Sequence, residues 1–294
     1  MKFLCTIPNV DAFSQIKHLC DGVIMTNKKY SSRYETSFSF EEILQIVKKC
    51  NTAKMEAYLL VDNILTDSDI SDIYKLVDTF KETNLMYIYS DLAVYQILKE
   101  YNLTKKGVYN PSTLIANYVD FLFWKEFKIK GLFPTLEIPL TDINIIGKNK
   151  KVKLYYKGFG MNVMFHSKRK LLSTYKEYKN VMYDFVGSSD LTLIEETRKE
   201  AYKIIENEHG THIYQPGIHN ILPAIDIVAT EFDYLLLDGT FIPWDKYIKA
   251  IEIYKEALLD MDRLNYYNMK LEELFDNLTY NFLLEDSIFR KSDF

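Results

Sequence analysis

Short apolar runs alternate with helical stretches along the first 140 residues, and that order leaves few folds open. Phe3 to Ile7 and Gly22 to Thr26 read as strands, and Phe40 to Cys50 reads as a helix with Ile43, Leu44, Ile46 and Val47 largely on one side. Ala57 to Val61 is the next strand. Asp67 to Thr83 follows as a helix, with Ile70, Ile73, Val77 and Phe80 at helical spacing. The pattern repeats through Met86 to Tyr89, Leu92 to Tyr101, Gly107 to Tyr109, Leu114 to Phe127 and Gly131 to Ile138. A repeated strand-then-helix order predicts a parallel sheet covered by helices. With 294 residues, a (β/α)8 TIM-barrel-like fold is the leading architecture, and a doubly wound open sheet is the alternative. Residues 1–245 would form the barrel. Residues 246–294 would form a helical and extended C-terminal segment packed on it, beginning with the stripe Tyr247, Ile251, Tyr254, Leu258 and Met261.

Composition narrows the setting. Hydrophobic residues make up 48% of the chain, enough for a sizeable core. A net charge of -5 argues against a generally basic nucleic-acid binder, so any RNA contact must rest on a local patch. Three scattered cysteines, Cys5, Cys20 and Cys50, do not make a disulfide framework and point to a reduced, cytoplasmic protein. No apolar run is long enough to predict a membrane span.

In a barrel, functional residues lie just after strands, at the carboxyl end. That rule selects Asp62, Asp91, Glu137, the stretch from Gly158 to Arg169, and Asp238. Glu137 and Asp238 each close a strand and are the candidate acids for proton handling. Residues 148–180 carry Lys148, Lys150, Lys151, Lys153, Lys157, Lys168, Arg169, Lys170, Lys176 and Lys179, opposed only by Glu177. Within this stretch Gly158 and Gly160, the triplet Lys168-Arg169-Lys170 and the flanking hydroxyls suit an anion-binding loop after a strand ending at Lys157. Gly160, Ser167, Lys168, Arg169, Ser173 and Tyr175 are the candidate substrate- or anion-binding residues. Lys203 to Tyr214 reads as a hairpin turning at Glu208-His209-Gly210. His209, His212 and His219 are close in sequence, but their spacing does not specify a metal site. There is no Gly-x-Ser-x-Gly elbow, no Walker loop and no Gly-x-Gly-x-x-Gly motif, so no reaction is named by spacing alone.

Three segments together resemble the collagenase-like peptidase U32 family. They are Leu136-Glu137-Ile138-Pro139-Leu140, the block from Gly160 to Tyr175 with its Ser-x-Arg-x-Leu-Leu-Ser-x-Tyr order, and Gly210-Thr211-His212-Ile213-Tyr214 through Asp233 to Gly239. The tail, Asn281 to Leu284 with Ile288-Phe289-Arg290-Lys291, faintly resembles the family's terminal strand. Some branches of that family bind an iron–sulfur cluster through four cysteines. This chain has none after Cys50 and looks closer to the short, cysteine-free branch. The family's Glu-Gly-Arg strand ending stands here as Asp238-Gly239-Thr240. Neither the residues nor the resemblance names a cofactor.

The resemblance implies a barrel and, through members linked to RNA-base hydroxylation, a tRNA partner and a role in wobble-uridine 5-hydroxylation. That role is either direct or that of an accessory subunit. In that reading Lys168 and Arg169 hold phosphate or a substrate carboxylate, and Ser167 and Tyr175 orient the ligand. Two alternatives stay open. One is a peptidase, possibly metal-dependent, with His209, His212 and an acid as ligands. The other is a non-catalytic RNA-binding partner of a paralogous subunit.

Overall fold

The computed structural model describes every residue except 181, 184, 186, 187, 189, 197–199 and 285–294. The tail motif at Ile288 to Lys291 therefore lies outside the described residues.

Seven strands follow one another in parallel: β1 (Lys2–Thr6), β2 (Gly22–Met25), β3 (Glu56–Val61), β4 (Leu85–Tyr89), β5 (Gly107–Tyr109), β6 (Gly131–Leu132) and β7 (Lys153–Gly160). Each of the first six is followed by a helix: α1 (Phe13–Ile16), α2 (Phe40–Ala53), α3 (Ile70–Phe80), α4 (Leu92–Glu100), α5 (Tyr118–Trp124) and α6 (Leu140–Asn149). After β7 the pattern breaks. An antiparallel sheet enters, built from β8 (Val163–Ser167), β9 (Thr192–Ile194), β10 (Ala201–Asn207) and β11 (Gly210–Tyr214) in the order β8-β11-β10-β9, with the helix α7 (Leu171–Lys179) between β8 and β9. The chain returns through β12 (Ile218–Asn220) and α8 (Ile225–Val228) to β13 (Tyr234–Leu237). β13 pairs in parallel with both β1 and β7, so eight strands close into a TIM-barrel-like cylinder. α9 (Trp244–Leu259), α10 (Leu264–Glu272) and β14 (Leu278–Thr279) complete the fold, and β14 pairs with β12. The expected division at residue 245 falls inside α9, the helix that follows the eighth barrel strand.

The alternating side chains of the strands separate two cores. Leu4, Ile24, Tyr58, Leu60, Ile88, Val108, Phe133, Tyr155, Tyr234 and Leu236 fill the barrel interior. Cys5, Val23, Leu59, Tyr87 and Tyr156 point outward, where they pack with helix residues such as Ile46, Leu76, Ile97 and Ile251. α2 starts at a reciprocal cap: the Ser39 hydroxyl accepts from the Glu42 amide at 3.2 Å, and the Glu42 carboxylate accepts from the Ser39 amide at 2.7 Å.

The floor of the barrel, at the strand N-termini, is sealed. Tyr155 and Tyr234 stack at 4.2 Å with an interplanar angle of 4°. The Tyr58 and Tyr155 hydroxyls meet at 3.0 Å, and Glu56 accepts from Tyr234 at 2.9 Å and from Tyr58. Lys2 and Lys130 reach the same carboxylate at 3.1 and 3.3 Å. Burial alone would raise Glu56, but the Tyr58 hydrogen bond and the Lys130 ammonium hold it below the ordinary glutamate value.

Two strand ends differ from the sequence expectation. β6 is only Gly131–Leu132, because Pro134 has no amide to donate; Phe133 and Thr135 continue the run with single bonds to Tyr109 and Ile115. β7 runs through Gly160, where the sequence suggests a loop from Gly158. The register against β13 shifts so that Leu236 faces Lys157 and Leu237 faces Phe159, which makes Gly158 an extra residue in a bulge. The bulge turns Phe159 into the outer core. It also lets Gly160, at φ +120°, cross against the end of β13, where a Cβ would stand 2.4 Å from the Asp238 carbonyl oxygen. Gly160→Ala is expected to destabilise the fold by about 1–3 kcal/mol, from the left-handed conformation and this contact. Urea denaturation measures it, and an unchanged midpoint would refute a backbone role for Gly160.

Candidate functional site in the barrel mouth

At the C-terminal end of the strands, the bulge and the closing strand bring together four charges. Asp238 follows β13 and is 2% exposed. Lys157, two residues after the interior Tyr155, meets it at 2.8 Å. Asp238 also accepts from the Thr240 amide at 3.0 Å and hydroxyl at 2.7 Å, and from Thr6 at 3.5 Å. Asp62, just past β3, lies 3.6 Å from Arg33, which stands in the long loop between β2 and α2. Arg33 also donates to the Asp62 carbonyl at 3.0 Å.

These groups share one field. Burial raises the Asp62 carboxyl, Arg33 pulls it back, and Asp238 adds to the rise. Burial and the two carboxylates also raise the phenols of Tyr34 and Tyr214, against the pull of Arg33. Asp62 is thus a buried carboxyl held above its ordinary value, and its Oδ1 takes no hydrogen bond from a described residue. Arg33 Nε and Ser32 Oγ are likewise buried without a hydrogen-bond partner among the described residues. Buried polar atoms of this kind are the ones a bound polar ligand or ordered water satisfies.

The inserted sheet covers this mouth. Asn207 of β10 donates to the Ser32 carbonyl at 2.7 Å, and the Tyr214 hydroxyl of β11 donates to the Arg33 carbonyl. The loop that carries Arg33 is therefore held from above by the insert and from below by Asn63, whose side chain accepts from Ser32 at 2.8 Å. His166 on β8 and His212 on β11 pair across the sheet, with ring centroids 4.4 Å apart. Neither ring nitrogen of either histidine has a hydrogen-bond partner among the described residues. Burial lowers His212 to about 3 and His166 to about 4, and Arg33 and His209 add to both shifts. Both rings are neutral at pH 7.

The sequence-selected residues fall in separate places. Asp62 and Asp238 both lie in the mouth. Glu137 is exposed after β6, and its carboxylate has no hydrogen bond or ion pair to a described residue. Asp91 caps α4, accepting from the Ala93 amide at 2.8 Å. Gly160 supports the Asp238 crossing. Lys168, Arg169 and Tyr175 are exposed on the insert, where Lys168 lies 3.4 Å from Asp69. Ser167 accepts from the Arg169 amide at 3.1 Å. Ser173 and the first amides of α7 are engaged by the buried Glu206 carboxylate, which accepts from Leu172 at 2.7 Å and from Ser173 at 3.2 Å. The start of α7, which follows the stretch expected to bind an anion, thus holds an internal carboxylate. His209 sits at the hairpin turn, its amide bonded to Asn207 at 2.9 Å. His219 is buried on β12, paired with the end of β7. No group of three potential metal ligands gathers among the described residues.

Sequence reasoning missed Arg33, Tyr34, Lys157 and Tyr214. Lys157 carried a signal: it continues the inward alternation of Tyr155, so it belongs to the barrel face and not to a solvated run. Arg33 follows a strand at the correct end, but seven loop residues separate it from Met25.

Lys157→Met is expected to destabilise the protein by about 3–5 kcal/mol, because it leaves Asp238 buried and unpaired. Adding Asp238→Asn should recover part of that loss, and chemical denaturation of the single and double variants measures the coupling. The histidine pair makes a second prediction. In the unfolded chain both rings protonate near pH 6.5, while the folded rings resist protonation until pH has fallen to about 4 or 3. The unfolded state therefore binds more protons in that window, and stability falls as pH is lowered through it. His212→Phe should flatten this acid limb, and a limb of unchanged slope would count against a buried neutral pair.

The model of Peptidase family U32 matches residues 10–287. The tRNA hydroxylation protein P2 of Bacillus subtilis (strain 168) is 23% identical over 261 residues, covering 87% of this chain and 84% of that protein. Among solved structures, the U32 peptidase Mk0906 superposes with a TM-score of 0.52 at 10% identity, over 82% of this chain and 93% of that one. No described helix is long and apolar enough to cross a membrane. A barrel closed by β13, with its mouth covered by the sheet inserted after β7, is thus the form taken here by a chain that belongs to Peptidase family U32.

Proposed function

We propose that this chain acts in tRNA hydroxylation, at the wobble uridine, with the barrel mouth as its working site. The observation that carries the reading is the match to a protein named for tRNA hydroxylation across 87% of this chain. The mouth is compatible with it. Arg33 offers a half-buried cation, Asp62 a buried carboxyl raised above its ordinary value, and His212 a neutral ring. In this reading Asp62 and Arg33 orient a polar ligand. Asp238, tied to Lys157 and Thr240, fixes the mouth. The exposed Lys168 and Arg169, with Ser167 and Tyr175 nearby in sequence, contact RNA at the rim of the insert. Glu137, on the surface after β6, is proposed to position the RNA and not to handle a proton. The chain would work in the cytoplasm, either as the enzyme or as one subunit beside a paralogue.

Nucleoside mass spectrometry of tRNA from a deletion strain tests this. The expected result is loss of 5-hydroxyuridine-type nucleosides, restored by the wild-type chain and not by Asp62→Asn or Arg33→Met. Full restoration by both variants would move the chemistry to another subunit and leave this chain as an accessory. An unchanged nucleoside profile in the deletion strain, in a background lacking any paralogue, would refute the reading.

A further inference from the structure

The lysines between residues 148 and 180 do not form one surface. Lys157 is in the mouth, and Lys168 and Arg169 are on the insert. Lys150, Lys151 and Lys153 precede or open β7, at the sealed end of the barrel. There they meet lysines from the two preceding helix-to-strand turns: Lys105 before β5, Lys125 and Lys128 after α5, and Lys130 before β6. Together these residues line a groove of about 650 Å³, whose other walls are Ile129, Val152 and Asp233.

Most of that positive charge is not neutralised internally. Lys150 is tied to Asp233 at 2.7 Å and Lys130 to Glu56 at 3.3 Å. Lys105, Lys125, Lys128, Lys151 and Lys153 are exposed and form no ion pair with a described residue. Lys153 lies 5.4 Å over the Tyr234 ring. The groove continues into a second one of about 600 Å³ that shares Lys105 and Lys128 and adds Lys99, Tyr95, Phe127 and a single acid, Glu126. In a chain of net charge -5, this clustering makes a local positive field against an acidic background.

We infer that this groove docks the phosphate backbone of RNA, at the end of the barrel opposite the mouth. The identification of that RNA as tRNA rests on the proposed function. The lining favours a nucleic acid over an acidic protein. Protein interfaces are depleted in lysine at their centres, whereas across both grooves eight lysines outnumber the four apolar or aromatic lining residues, Tyr95, Phe127, Ile129 and Val152. Flexible ammonium groups suit phosphates as point charges without fixed bidentate geometry. The contact is therefore sequence-independent. It would hold the body of the RNA and add affinity without touching the reacting base.

The test is equilibrium binding of an unmodified tRNA transcript to the full chain, between about 50 and 200 mM salt. Lys128→Ala/Lys151→Ala/Lys153→Ala is expected to weaken binding at least about tenfold. It should also lower the slope of log affinity against log salt by about 2–3, close to one for each phosphate no longer neutralised. The three side chains are exposed, and unchanged circular dichroism and melting confirm that the variant folds. Wild-type affinity and slope in this variant, or no salt-dependent tRNA binding by the wild-type chain, would overturn the inference. Displacement of tRNA by polyglutamate at equal charge concentration would assign the groove to an acidic protein and overturn it as well. Binding is read without reference to nucleoside content. A groove variant that loses affinity supports the inference even where the nucleoside profile refutes hydroxylation.

Discussion

The mouth depends on the seating of β13 between β1 and β7. Parallel pairing on both sides places Tyr234 opposite Lys2 and Tyr155, and Leu236 opposite Leu4 and Lys157. With that register fixed, Asp238 emerges beside Lys157 and Thr6, and Tyr234 stacks on Tyr155 at the floor. One pairing thus sets the ion pair at one end of the barrel and the aromatic seal at the other. The bulge at Gly158 reconciles the two. It advances β7 by one residue, so that Lys157 stays inward while Gly160 reaches the Asp238 backbone. Tyr254 of α9 fixes the bulge from outside, donating to the Gly158 carbonyl at 2.7 Å.

The sealed floor gives the mouth its chemical character. Glu56, three tyrosine hydroxyls and two lysines satisfy one another below the interior leucines, so the polar groups there are already paired. Above, Asp62 Oδ1, Arg33 Nε and the two histidine rings are buried without hydrogen-bond partners among the described residues. Unpaired buried polar groups cost stability, and folds carry them where a ligand repays the cost. The insert makes this possible. By clasping the Ser32 and Arg33 carbonyls, it holds a cation in a place that the eight barrel strands alone do not cover.

The barrel was legible in the sequence because each of its first four units carries its own signal. β3 is an apolar run and α3 an apolar stripe, and the turn between them is polar. The hairpin β10–β11 was legible for the same reason, from the turn at His209-Gly210. The site was only partly legible. Asp62 and Asp238 follow the strand-end rule into the mouth, but Asp91 and Glu137 follow it equally well, and one is a helix cap while the other is on the surface. The rule identifies an end of the barrel, not an interior direction. Direction comes from alternation counted along each strand, and the Gly158 bulge resets that count at the residue where it matters. Glu206 shows a second limit. Nothing near Ser173 in sequence announces that a carboxylate 33 residues away will occupy the start of α7.

A run of like charge in sequence reads as a patch only where the segment stays on one surface. β7 does not. Its eight residues span about 23 Å from floor to mouth, at about 3.3 Å per residue. The lysines before it join the αβ turns at the floor. Lys157 inside it joins Asp238, and those after it leave on the insert. The same geometry gathers what the sequence keeps apart. Lys105, Lys128 and Lys151 lie in three different turns, yet consecutive parallel strands bring successive turns side by side on one rim. Charge that appears linear along the chain is thus divided between the ends of the barrel, while charge that appears scattered is concentrated at one of them.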